Sequence, residues 1–148
     1  MKFGVTIGAA ALISIISSVA AVAQVRDAVY RGTLVCAKLP FFETAAREAF
    51  ELTVEGSAAR YKHVVRELSE LSSETGSGTI DGQSIVLTGG WRGKRENYEA
   101  RYEGKFLRRS FNLTGTQTWV HDGKIFTRKC SGSIKRPFAV FLPREQKK

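Results

Sequence analysis

The chain has 148 residues, with 23 Lys and Arg against 14 Asp and Glu, a formal net charge of +9 with histidine neutral. Two cysteines and two histidines are too few for a zinc site built from those residues alone and too few for a disulfide-dense scaffold. The basic balance favours anionic partners and argues against an inhibitor of a basic enzyme such as lysozyme, which should itself be acidic.

Lys2 gives the chain a positive start, and residues 5–16 are apolar with only small polar interruptions. That run falls short of the roughly 20 apolar residues of a membrane-spanning helix. Ala21-Val22-Ala23 then offers the small residues that signal peptidase reads. The expectation is a signal peptide over residues 1–23, cleaved after Ala23, and a periplasmic or secreted product; an uncleaved N-terminal anchor is the alternative. Residues 24–148 are then one domain of ordinary size. No Cys follows the apolar run, so no lipoprotein anchor is indicated.

The period-2 alternation of apolar and polar residues predicts strands along most of this domain. YRGTLVCAK is the first and carries Cys36. Residues 42–49, following Pro40, have helical character and are expected to form a turn or two of helix. In FELTVEG, Phe50, Leu52 and Val54 share a face; RYKHVVREL follows, with His63 read as a half-exposed strand residue. SIVLTGGW puts Ile85, Leu87, Gly89 and Trp91 on one face, NYEARYEG puts Tyr98, Ala100 and Tyr102 on one face, and SFNLTGTQTW aligns Phe111, Leu113, Gly115, Gln117 and Trp119. KIFTRKCSG, with Cys130, is the last. Glu55-Gly56-Ser57, Gly76-Ser77-Gly78, Asp81-Gly82, Gly93-Lys94 and His121-Asp122-Gly123 are read as turns between them, because Gly and Asp accept positive φ. From Pro137 onward the chain starts apolar and ends basic, and is read as a frayed tail or a strap across one end.

Two stretches repeat at a constant offset of 26 residues: Gly78 matches Gly104, Ser84 matches Ser110, and Leu87-Thr88-Gly89 matches Leu113-Thr114-Gly115. That length suits two strands and their turns, so the unit is read as a β-hairpin laid down twice. Cys36 and Cys130 lie on the first and last strands. In an oxidising compartment two lone thiols pair, and in an up-and-down barrel those two strands are neighbours. The sequence therefore predicts an all-β fold: one antiparallel up-and-down barrel or meander of about eight strands, closed by one disulfide.

Gly89 and Gly115 fall on the apolar faces of strands, where a missing side chain has two readings. Each permits a bulge or bend that helps a small barrel close, or together they open a ligand pocket lined by Trp91, Tyr98, Tyr102 and Trp119. Arg92, Lys94 and Arg95 crowd one turn and Arg108 and Arg109 another; if both turns share one end of the sheet they form an anion-gripping rim. His121 is read as a solvated turn residue. No Gly-x-Ser-x-Gly element, metal-ligand spacing or cofactor motif is present, and no glutamate stands out from the many on strands, so no catalytic or metal residue is assigned.

The elements GTLVC near the start, LTGGW, YEARY, LTGTQTW and a late RKC resemble a set of small exported bacterial proteins of unknown function. The resemblance covers most of residues 24–148 and implies a secreted or periplasmic β-rich domain without implying an activity. The repeated LTG and Trp positions also faintly resemble avidin- and lipocalin-type barrels, too briefly to transfer a binding site. The functional expectation is a non-enzymatic exported barrel that binds an anionic or amphipathic envelope component: lipopolysaccharide, an anionic wall polymer or lipid. A partner-binding or inhibitor module for a secreted protein, a small-ligand barrel, and an enzyme with an unrecognised carboxylate pair are the alternatives.

Overall fold

The structure is a computed structural model that describes residues 24–65, 72–94 and 96–137. The expected signal peptide, most of the C-terminal tail and Arg95 lie outside the described residues. Eight strands follow one another: β1 (Ala28–Cys36), β2 (Ala46–Glu55), β3 (Ala58–Val65), β4 (Ser72–Asp81), β5 (Ser84–Arg92), β6 (Asn97–Leu107), β7 (Ser110–His121) and β8 (Lys124–Lys135). Each pairs antiparallel with the next, and β1 pairs with β8, so the sheet closes into an up-and-down barrel with no free edge. The described residues contain no helix: residues 40–41 form a turn and 42–44 a bend, and β2 already begins at Ala46. Ala46, Phe50, Leu52 and Val54 all face the core, so tertiary burial overrides the helical tendency expected over residues 42–49.

Alternation decides which residues go inside. On β6, Tyr98, Ala100, Tyr102 and Phe106 are buried while Glu99, Arg101, Glu103 and Lys105 are exposed. Two-residue loops join β2–β3, β4–β5, β6–β7 and β7–β8. Asp122 and Gly123 both have positive φ, as a type I′ hairpin requires; Gly56, Gly82 and Arg108 hold the positive-φ first position of the other three. Because the strands alternate in direction, the loops at 56–57, 82–83 and 108–109 share one end of the barrel, here the tight-turn end. Residues 37–45, 93–94, 96 and 122–123 lie at the opposite, loop end.

The repeat is a duplicated hairpin, β4–β5 and β6–β7. Gly78 pairs with Leu87 as Gly104 pairs with Leu113, and Ile80 with Ile85 as Phe106 with Phe111. Cys36 and Cys130 are direct partners across the β1–β8 seam and form a disulfide, their Cα atoms 4.0 Å apart. The bridge closes a loop spanning 94 positions at the point where the sheet meets itself. At the tight-turn end, Tyr30, Phe106 and Phe111 pack edge-on and tilted with centroids 5.0–6.0 Å apart. Around them Leu52, Ile85, Leu113 and Ile134 complete an apolar layer.

Candidate functional site

The middle of the barrel is polar. Glu74, on β4, is fully buried, and five hydrogen-bond partners converge on its carboxylate. Tyr61 donates its hydroxyl hydrogen to Oε1. Oε2 accepts from Tyr98 at 2.7 Å, from Tyr102 at 3.1 Å and from the Gln117 amide at 3.1 Å, and lies 3.0 Å from Nδ1 of His63. A carboxylate offers about four acceptor sites and no donor, so this set of donors suits the ionised form and places the His63 proton on Nδ1. Nε2 of His63 is the one buried side-chain nitrogen or oxygen among the described residues that lacks a hydrogen-bond partner.

Gln117 links this carboxylate to a buried cation. Its Nε2 also donates to the Tyr102 oxygen at 2.9 Å, and its Oε1 accepts from Arg128 Nε at 2.8 Å and from Trp119 Nε1 at 3.3 Å. Arg128 is 3 % exposed, its guanidinium 5.2 Å from the centre of the Trp119 ring and 5.8 Å from that of Phe42. Burying one charge without its opposite would be costly; one network here holds both, with an amide between them.

Small residues make room for the phenols. A Cβ at Gly76 or Gly89 would collide with the Tyr61 ring or its hydroxyl, and one at Gly115 with the Tyr102 ring. The repeated LTG glycine therefore serves the same purpose in both copies: it clears the inner wall where a tyrosine lies flat against it. This space is occupied by side chains. Of the four aromatics expected to line a pocket, Tyr98, Tyr102 and Trp119 are buried and joined in the packed core, Tyr98 stacking on Trp119 at 4.3 Å. Trp91 is half-buried at the loop end, 6.3 Å from both Tyr98 and Trp119.

Burial, and behind it the negative field of Glu74, pushes the hydroxyls of Tyr61, Tyr98 and Tyr102 far above the ordinary tyrosine range; their hydrogen bonds to Glu74 act in the same direction. For Tyr102 the Gln117 amide and the Arg128 charge oppose the rise in part. In each case ionisation would put a second negative charge beside the first in a dry interior.

The β1–β2 connection covers the loop end. Leu39 is buried, Phe42 meets Trp119 edge-on at 5.3 Å, and Phe41 stacks on His121 at 4.0 Å with its plane within 7°. His121 is thus not a solvated turn residue: its Nδ1 lies 2.6 Å from a Glu96 carboxylate oxygen. His63, expected half-exposed, is 1 % exposed, because its face continues that of Tyr61 and Val65.

The cationic residues are distributed differently from expectation. β6 runs the length of the barrel between the turn holding Arg92 and Lys94 and the turn holding Arg108 and Arg109, so the two clusters occupy opposite ends and form no common rim. Arg92 and Lys94 are exposed at the loop end, Arg92 with Arg101 and Glu99 beside a shallow outer groove across β4–β7. Arg108 and Arg109 gain other neighbours. Ser110 and Arg31 both pair with Lys135, and the Arg136 amide donates to the Arg109 carbonyl at 3.2 Å. Residues 104–113 and 131–137 thereby bring Lys105, Arg108, Arg109, Lys135 and Arg136 to the tight-turn end with no acidic residue in either segment. Leu107, 53 % exposed, stands among them.

Glu74, His63, Gln117 and Arg128 were not assigned any role from the sequence. Period-2 counting from Cys130 puts Arg128 inside, counting from Tyr61 puts His63 inside, and Gln117 shares the inward face of Leu113 and Trp119, so for these three a signal existed. No family model, curated protein or solved structure matches the chain.

Proposed function

We propose that this chain is a non-enzymatic, exported β-barrel that binds an anionic or amphipathic component of the cell envelope, and that the tight-turn end is its contact surface. The observation that carries the reading is the grouping of Lys105, Arg108, Arg109, Lys135 and Arg136 around exposed Leu107. Cations around an apolar tip match a surface of anionic headgroups over acyl chains: the charges gather at the phosphates while the leucine enters the boundary. The filled interior favours an outer surface over an enclosed ligand. Export accords with the Cys36–Cys130 disulfide, the state that an oxidising compartment preserves.

Co-sedimentation of the exported protein with phosphatidylglycerol-containing vesicles, compared with phosphatidylcholine vesicles, tests the reading. Binding should require the anionic lipid, weaken between low and moderate salt, and fall in an Arg108→Glu/Lys135→Glu double variant. Equal binding to both vesicles, or binding indifferent to salt and to the double substitution, would remove the basis of the proposal.

A further inference from the structure

A continuous path of rings runs from the loop end of the barrel to its buried carboxylate. Trp91, half-buried, donates its indole N–H to Ser72 Oγ at 2.8 Å and stacks against Tyr98 with centroids 6.3 Å apart and planes 29° apart. Trp119 completes the group, 6.3 Å from Trp91 and 4.3 Å from Tyr98. At the inner end the Tyr98 hydroxyl donates to Glu74 Oε2 at 2.7 Å, and Tyr61 and Tyr102 donate to the same carboxylate.

Aromatic rings in such contact exchange electrons readily. A phenol that gives up an electron becomes a strong acid, so it is oxidised easily only where a base already holds its hydroxyl hydrogen. Water cannot serve at Tyr98, which is 2 % exposed. Glu74 can, over an existing hydrogen bond. Fold stability gives no evident reason to gather three phenols on one buried carboxylate, since replacing buried polar and charged groups by well-packed apolar residues is often neutral or stabilising.

We propose that Trp91, Tyr98 and Glu74 form a proton-coupled relay, through which a one-electron oxidant arriving at the loop end is reduced and the oxidising equivalent is held as a tyrosyl radical in the core. The oxidant takes one electron from the Trp91 indole and leaves a radical cation. Tyr98 returns one electron to Trp91 while its hydroxyl proton moves to Glu74. In the balance, the oxidant gains an electron, one phenolic O–H bond breaks and one carboxyl O–H bond forms. Tyr98 ends as a neutral phenoxyl radical beside a neutral Glu74, and Trp91 is restored. The radical passes to Tyr61 or Tyr102 when that ring returns one electron to Tyr98 and its hydroxyl proton moves to Glu74 as Glu74 gives its proton back to the Tyr98 oxygen.

All four tyrosines are buried, so a small oxidant in solution does not reach them directly, and any phenoxyl radical reports transfer. Pulse radiolysis with azide radical, which oxidises indole by one electron, reads the relay in the intact protein. The indolyl absorbance should decay with first-order kinetics independent of protein concentration, while the phenoxyl absorbance rises at the same rate, more slowly in D2O. Trp91→Phe, a conservative change at the barrel mouth, should remove most of the phenoxyl yield, because Trp119 is fully buried. Glu74→Gln keeps an acceptor oxygen but no base, and should leave the indolyl radical without a phenoxyl successor. Circular dichroism identifies a Glu74 variant that fails to fold, in which case Trp91→Phe and the isotope effect decide. An indolyl radical in the folded wild-type that decays with no phenoxyl rise would overturn the relay. So would a phenoxyl yield unaltered by Trp91→Phe.

Discussion

Glu74 and Ala100 hold the same place in the two copies of the repeated hairpin, 26 residues apart, both inward and both buried. Two positions further on the exchange runs the other way, Gly76 in the first copy against Tyr102 in the second. One copy thus supplies the carboxylate and a space, and the other a phenol that reaches toward it. The duplicated backbone gives matching registers, and divergence at inward positions, Ser72 against Tyr98 and Trp91 against Gln117 as well as these two, turns an apolar wall into a polar centre.

Removing the carboxylate should therefore be among the most damaging single changes in the barrel. Glu74→Ala leaves three phenols, an amide and an imidazole N–H without their shared acceptor. The expected loss is about 3–5 kcal/mol, read as a lower urea midpoint with unchanged slope. A loss under about 1 kcal/mol would mean the donors find other partners.

The same cluster predicts loss of stability in alkali. Tyr61, Tyr98 and Tyr102 have folded-state values raised far above the ordinary one. Below about pH 10 both folded and unfolded chains keep these protons, and the contribution to stability is fully present. Above it the unfolded chain releases three protons that the folded chain retains. Stability then falls by about 1.4 kcal/mol per pH unit for each tyrosine, about 4 kcal/mol per unit for the three. Phenolate absorbance of these three should appear only together with the loss of β-sheet circular dichroism. A smooth titration of the folded protein near pH 10 would show that the hydroxyls are not held as described.

How much of this was legible in the sequence depended on the face each residue shared. β1, β2, β5, β6 and β7 alternate apolar with polar residues, and the two cysteines mark the first and last strands, so the closed barrel was readable. β4 was not readable in the same way: Gly76-Ser77-Gly78, expected as a turn, runs straight through it as strand, its inner face is Glu74, Gly76, Gly78 and Ile80, and its outer face is Ser and Thr ending in Asp81. Hydrophobic alternation vanishes where glycines inside make room for rings from neighbouring strands. Glu74 then looks like any surface glutamate, because what buries it comes from β3, β6 and β7. The rim of cations failed for another reason: spacing along the chain does not say which end of a barrel a turn occupies until the number of strands between two turns is known.

The Cys36–Cys130 bridge should contribute through the unfolded state. Closing a loop of 94 positions restrains the unfolded chain by about 4–5 kcal/mol on the loop-entropy view. A Cys36→Ala/Cys130→Ala variant should lose a comparable amount, with an altered migration on non-reducing gels. The inward pair also packs in the core, where two alanines leave a small void and add to the loss. An unchanged melting temperature would show that β1 and β8 hold the seam without covalent help.

Arg108 separates stability from binding at the tight-turn end. It occupies the first position of a two-residue hairpin at φ 59°, where Gly56 and Gly82 stand in the equivalent loops. A left-handed conformation costs a side-chain-bearing residue about 1–2 kcal/mol relative to one that relieves it. Arg108→Gly should thus stabilise the fold by about 1 kcal/mol, after allowing for the greater freedom of glycine in the unfolded chain. The same change removes a cation from the proposed contact surface and should weaken binding to anionic vesicles, with a shallower dependence on salt. A variant that melts higher and binds less would show that the strain is retained for the charge; one that melts higher and binds as before would move the contact surface away from this turn.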